Sequence, residues 1–228
     1  MSNTAQEILS LLKQVERQRE SRRDDEALNR RVESIKRFQH GRFHDTYADL
    51  LAIDDSAAAT RFFLDELYGP KDFAVRDQQF ARVIPTVQRL VPAEVMVMLL
   101  TLAKLHALSE RMDTEMAVAL NTIQQGEAVT AASYRQAWRV VAQEQAREDQ
   151  VAWLLQVGTA LQRHTRSLAL RTSLRLMRGP AAAAGLETLQ SFLESGLEAF
   201  RQLDDPAAFL QAIATRERAE SKRLFSGR

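Results

Sequence analysis

The chain has 228 residues, 45% apolar and 27% charged, enough to bury a substantial core without disulfide support. It contains no cysteine, which excludes disulfides, thiolate metal sites, iron–sulfur clusters and a cysteine nucleophile. A formal net charge of +1 implies no bulk attraction to nucleic acid or acidic lipid.

Glycine (8) and proline (5) are sparse, so few residues interrupt helices. Thr4-Ala5-Gln6-Glu7 has the form of a capping box. Ile8, Leu12 and Val15 follow on one helical face, and Leu28, Val32, Ile35 and Phe38 make a second stripe. Between them, Glu16 to Glu26 alternates in charge without a large apolar residue, and Glu26 stands four residues before Arg30. The pattern predicts one helix over about 4–38 with a solvated middle. Such an arm would pack at its ends; a coiled-coil dimer contact is the alternative.

His40-Gly41 is expected to end that helix. A short helix over about 42–53 carries Phe43, Tyr47, Leu50 and Leu51, and Asp54-Asp55-Ser56 caps the next. Residues 57–68 bury Phe62, Phe63, Leu64 and Leu67 before the Gly69-Pro70 stop. A helix over about 72–91 contains Pro85, which should kink or split it. An uninterrupted helical pattern then runs from Pro92 to Gln125 and ends at Gly126. Thr130 caps a further stretch reaching Arg178, with a break expected near Gly158 and a firm stop at Gly179-Pro180. Two last helices cover about 186–203 and 206–224, the second opened by Asp205 and Pro206.

No segment alternates as a strand would, and no repeat is visible. The fold class read from this is all-α, a multi-helix orthogonal or bundle domain with a long N-terminal helix and a C-terminal helical extension. Some eight helices are expected. The boundaries drawn are an N-terminal arm over 1–40, a main helical domain over 41–158 and a packed extension over 159–228. No apolar run is long enough to span a bilayer, and the N-terminus lacks a secretory signal, so the expected location is cytoplasmic.

Chemical motifs are scarce. No glycine-rich phosphate loop or G-x-S-x-G elbow occurs, and no Glu precedes a His at the di-iron spacing. His40 and His44 stand four apart with Asp45 and Asp49 near, but an interrupting Gly41 argues for a helix-end pair over a metal site. Asp65, Glu66, Asp72, Arg76, Asp77 and Arg82 surround the Gly-Pro turn and are read as its clamps. His106 is singular: it sits in the apolar run Leu99-Leu100-Thr101-Leu102-Ala103-Lys104-Leu105. A lone histidine there is ordinarily a core residue with one hydrogen bond, and in the alternative an axial haem ligand.

That run resembles the proximal-histidine helix of bacterial globins. Gly126 with Thr130 and then Ala137-Trp138 is similar to the opening of the last globin helix, and Phe62-Phe63 with Leu67-Tyr68 resembles an early one. The likeness covers about residues 43–157. It implies a globin-like fold, with His106 as proximal haem ligand and Gln78 on the distal side. The unbroken stretch from Ala107 to Gln125 departs from the globin pattern. A second segment, Phe62-Phe63-Leu64-Asp65-Glu66-Leu67-Tyr68-Gly69-Pro70-Lys71-Asp72-Phe73 with Arg76-Asp77 and Gln79-Phe80-Ala81-Arg82, resembles an uncharacterised family of bacterial all-helical proteins. That resemblance implies no mechanism.

Residues 159–180 hold Arg163, Arg166, Arg171, Arg175 and Arg178 without an acidic residue. On one helix, His164, Arg171, Arg175 and Arg178 would share a face. The first reading is a solvated face; the alternatives are an anion or nucleic-acid contact and, third, a membrane-surface helix. The sequence reading is therefore a non-enzymatic helical protein acting through a second copy or a protein partner. It needs no cofactor, does not target nucleic acid, and has haem-binding through His106 as its alternative.

Overall fold

A computed structural model describes residues 3–124, 126, 128–165 and 167–226. Among these the secondary structure is entirely helical, so the all-α reading is met. In chain order the helices are α1 (Asn3–Arg23), α2 (Glu26–Thr46), α3 (Ala48–Ala52) and α4 (Asp54–Phe62). A π-helical turn, Phe63–Leu67, prolongs α4. Then come α5 (Ala74–Val87), α6 (Ala93–Ile123), α7 (Ala131–Val141) and α8 (Glu144–Thr165). Last are α9 (Leu168–Leu176), α10 (Arg178–Ala183), α11 (Glu187–Arg201) and α12 (Pro206–Ser226). None of these helices is long and apolar enough to cross a membrane.

The axis of the molecule is α6, an apolar 31-residue helix against which α1, α2, α7 and α8 all pack. Three apolar clusters lie along it. Ile8, Leu12, Ile84, Met96, Leu99 and Ala103 join α1, α5 and the start of α6. Val32, Ile35, Met116, Leu120, Tyr134, Trp138 and Leu224 join its far end to α2, α7 and α12. Phe43, Tyr47, Phe63, Leu105, Leu154, Phe200 and Ile213 join α2, the π turn, α8, α11 and α12 to its middle.

Several boundaries differ from the sequence reading, each for a local reason. The expected helix over 4–38 is two helices: the chain breaks at Asp24-Asp25, where the Asp25 carboxylate accepts from Leu28 N–H and caps α2. Thr4 lies inside α1 rather than before it. Gly41 does not end a helix. It sits exposed within α2, with nothing within 4 Å of where a Cβ would stand. Pro85 leaves α5 unsplit. The expected break near Gly158 falls elsewhere, at Ala142, whose φ is 46°, and again beyond Thr165. Gly158 instead lies within α8, where a Cβ would come 2.4 Å from Leu210 Cδ2, so its bareness allows α12 to close on α8. Gly179 and Pro180 lie within α10, since proline fits the first turn of a helix, and α9 has already ended at Leu176.

Other signals hold. Thr130 caps α7 in a reciprocal box with Ser133, Asp205 caps α12 through Ala208 N–H, and Glu26 pairs with Arg30 at 2.7 Å. The Gly69-Pro70 stop also stands, and its cause is spatial: a Cβ on Gly69 would lie 2.2 Å from the Asp65 carbonyl oxygen. Only glycine lets the chain leave the π turn so tightly.

Candidate functional site

Midway along α6, three residues at core spacing are polar: His106, Glu110 and Asp113. The neighbouring helices answer with polar side chains at the same level. α1 supplies Arg19 and Arg22, α2 supplies Lys36, Gln39 and Arg42, and α5 supplies Asp77. From the other side come Tyr134 and Trp138 of α7, Arg147 of α8 and Glu217 of α12. The result is a polar layer crossing an otherwise apolar interior.

Half of this layer has its charges paired within the chain, although Arg22 Nε is buried without an acceptor. The Glu110 carboxylate, 3% exposed, accepts from Arg22 Nη2 at 2.7 Å, Lys36 Nζ at 2.6 Å and Arg19 Nη2 at 3.3 Å. Burial alone would raise its pKa, but Lys36, His106, Arg19 and Arg22 outweigh burial and hold it well below the usual carboxylate range. Asp77 accepts from Arg19 Nη1 at 2.8 Å and from His106 Nε2 at 2.7 Å. Burial opposes its ionisation too, and the His106 hydrogen bond leads the contributions that lower its pKa.

In the other half the pairing is incomplete. A cavity of about 80 Å³ separates α2, α6, α7, α8 and α12. Arg147, 8% exposed, stacks its guanidinium 3.7 Å above the Trp138 ring and donates to Gln150 Oε1 at 3.0 Å. Its Nη2 has no hydrogen-bond partner, and no carboxylate stands within ion-pair distance among the described residues. Burial lowers the Arg147 pKa accordingly. Trp138 Nε1 and the Arg42 Nη1 and Nε atoms are likewise buried without partners, although Arg42 Nη2 donates to Glu217 at 3.0 Å. Asp113, which could have answered Arg147, instead accepts from Gln39 at 3.1 Å, and burial pushes its carboxyl up toward the neutral form. Six guanidinium or ammonium groups (Arg19, Arg22, Lys36, Arg42, Arg76 and Arg147) thus share the layer with four carboxylates, Asp77, Glu110, Asp113 and Glu217. An excess of buried positive charge is costly unless an anion joins it.

The residues singled out in the sequence fall in different places. His106 lies in the polar layer, bonded to Asp77. Gln78 is exposed on α5, and its neighbour Asp77 is the residue that reaches His106. Arg171, Arg175 and Arg178 come together on an open groove of about 540 Å³ facing α11, but His164 is not part of it, because the chain breaks between α8 and α9. There Arg178 makes a bidentate pair with Glu194, at 2.8 and 2.7 Å, while Arg171 and Arg175 have no ion pair among the described residues. Arg166 lies outside the described residues. His40 Nε2 donates to Asp65 Oδ1 at 3.2 Å, and of the turn-clamping charges Arg76 Nη1 donates to the Glu66 carbonyl at 2.8 Å. Arg19, Arg22, Lys36, Arg42 and Arg147 were missed.

The chain matches no curated protein and no solved structure. Over residues 18–228, which include the whole polar layer, it matches the family described as Domain of unknown function (DUF8198), and it belongs to that family.

Proposed function

We propose that the protein is a binding protein for a small organic anion, held in the cavity between α2, α6, α7, α8 and α12. One observation carries this reading: Arg147 Nη2, Arg42 Nη1 and Trp138 Nε1 are three buried donors without acceptors, on residues lining one cavity. Each unmet buried donor costs about 1–3 kcal/mol, and a carboxylate or phosphate accepts several at once. A cavity of about 80 Å³ suits a group of that size.

The haem alternative draws no support from the site. His106 Nε2 is engaged by Asp77, and the cavities beside it, about 80 and 50 Å³, are too small to admit a porphyrin. Haem does not fit these residues as they stand.

Thermal melting with sodium acetate or inorganic phosphate, against chloride at equal ionic strength, tests the reading. A site-specific anion at about 100 times its Kd adds about 2.7 kcal/mol, a rise of roughly 5–10 °C for a chain of this length. Arg147→Met should abolish the rise. Equal melting in all three salts would end the proposal.

A second reading, association with another copy of the chain or with a protein partner, is favoured by α9. This helix buries none of its described side chains, and Leu168 and Leu176 are 70% and 74% exposed. Light scattering over a concentration range should show self-association that Leu176→Glu weakens; a strict monomer throughout argues against self-association.

A further inference from the structure

The polar cavity does not end at its charged wall. Leu67, Tyr68, His106 and Ser109 also line a second cavity, of about 50 Å³, whose other walls include Leu12, Phe80 and Leu102. Leu67, Leu99, Leu102, Phe192 and Leu193 are in turn shared with a third, of about 70 Å³, lined almost wholly by apolar side chains such as Phe63, Leu154 and Leu210. The three form a series along one face of α6, from Asp113 at the charged end to Leu99 at the apolar end. That distance is roughly 20 Å at the helical rise. Polarity falls along the series: unmet cationic donors at the start, then a middle cavity whose walls mix Tyr68, His106, Ser109, Arg76 and Asp77 with apolar side chains, then hydrocarbon in the third. A second feature marks this middle cavity. It is lined in part by the residues that close the π turn, Leu67 and Tyr68, and π turns occur often where a helix has been adapted to a ligand.

We infer that the anion is a single-chain carboxylate amphiphile, its tail limited by the small volumes of the second and third cavities, rather than a compact anion. Its carboxylate meets Arg147, Trp138 Nε1 and Arg42, and its hydrocarbon passes Tyr68 and follows α6 toward Leu102 and Phe192. This rests on the reading of the polar cavity as an anion site. The small width of each cavity selects a slender chain over a ring system. The third cavity offers no polar side chain, so a tail hydroxylated at its far end would bury those hydroxyls without side-chain partners.

Calorimetric titration of the full chain with acetate, butanoate, octanoate and decanoate, each below its micelle concentration, tests the inference, with decanol as the uncharged control. Affinity should rise by about fourfold per added methylene, the factor expected for burying each CH₂, and level off once the tail fills the apolar cavity. Decanol should bind at least tenfold more weakly than decanoate. Arg147→Met should remove acetate and decanoate binding together. Leu102→Trp or Leu193→Trp, at half-buried positions in the apolar cavities, should keep acetate binding and lose the gain from chain length. Each variant is first shown to melt cooperatively, and two plugging positions guard against one failing to fold. If acetate binds as tightly as decanoate, the amphiphile is refuted while the anion site stands. If decanol equals decanoate and Arg147→Met changes neither, the anion site itself falls. Binding of none of them overturns both.

Discussion

Glu110→Gln is the most direct probe of the polar layer, because the substitution keeps shape and removes only charge. In the native chain three cations, Arg19, Arg22 and Lys36, converge on one carboxylate that is 3% exposed. With glutamine there, the cations lose their common counter-ion in a site from which water is excluded, and one amide N–H₂ faces donors it cannot accept from. Breaking a buried ion pair from one side costs about 3–5 kcal/mol. Against a total stability of about 5–15 kcal/mol that is a large fraction, and it corresponds to a fall in melting temperature of roughly 6–20 °C for a chain of this length. The pH dependence gives a second, independent readout. The folded-state pKa of Glu110 is depressed below its unfolded value of about 4.3, so the native state binds fewer protons. Its contribution is therefore fully present above that value and is lost as pH falls toward the folded pKa. Urea denaturation followed by circular dichroism from pH 7 down to pH 3 should show wild type losing stability on acidification and Glu110→Gln losing much less. A variant within about 1 kcal/mol of wild type at pH 7, with an unchanged acid limb, would refute the description of the layer as a charge cluster held by this carboxylate.

Asp113→Asn should act in the opposite sense. Burial raises the Asp113 carboxyl, so its ionised form costs stability as pH rises, and the variant should equal or exceed wild type at pH 7 with its advantage vanishing in acid, by the same titration. Gly41→Ala, at an exposed site inside α2 with free space for a Cβ, should stabilise by about 0.5–1 kcal/mol in urea. Gly69→Ala should cost at least about 2 kcal/mol, since its Cβ would meet the Asp65 carbonyl and force the π turn open; a neutral effect on the melting temperature would contradict that geometry. Ala142→Gly should gain about 0.5–1 kcal/mol by relieving a left-handed alanine at the end of α7, a gain that equilibrium denaturation resolves.

Most of the helices were legible because apolar spacing and caps act locally. Val32 and Ile35, Thr130 with Ser133, and Asp205 each do in space what their neighbours in sequence suggest. The errors arose where a long-range contact overrode a local preference. Gly158 reads as a weak point only until α12 is seen pressing Leu210 against it. The most consequential oversight was in the charged middle of the N-terminal segment, most of which is exposed as read but whose Arg19 and Arg22 turn inward. Ile8, Leu12 and Val15 recur at intervals of four and three, and continuing that register lands on Arg19 and Arg22. The same holds on α6, where Leu99, Ala103, His106, Glu110, Asp113, Ala117 and Leu120 keep one rhythm, and on α2, where Gln39 follows Val32 and Ile35. Charged side chains standing at core register on several helices are the signal of a buried polar layer, and they can be found before any coordinates exist. Their partners cannot, because pairing Arg22 with Glu110 requires α1 and α6 to be docked.

The polar layer also separates two explanations for burying charge. If it served only to fix the register of the helices, each donor and acceptor would be answered from within the chain, since a half-satisfied network is worse than an apolar core. The half around Glu110 and Asp77 comes close to that condition: three cations and a histidine surround two carboxylates whose pKa values are both lowered, so every charge is paired although Arg22 Nε has no acceptor. The half around Arg147 fails it. The Arg147 guanidinium is left without a carboxylate, the Trp138 N–H and two of the three Arg42 nitrogens are left without acceptors, and Asp113 is itself driven toward neutrality. Both halves lie on the same helix within two turns of each other, so the protein can evidently satisfy such groups and in one half leaves them open. Stability alone would favour replacing Arg147 by an apolar residue stacked on Trp138. Its presence beside a cavity is accounted for when the missing acceptor arrives from outside the chain, as the carboxylate of a bound ligand.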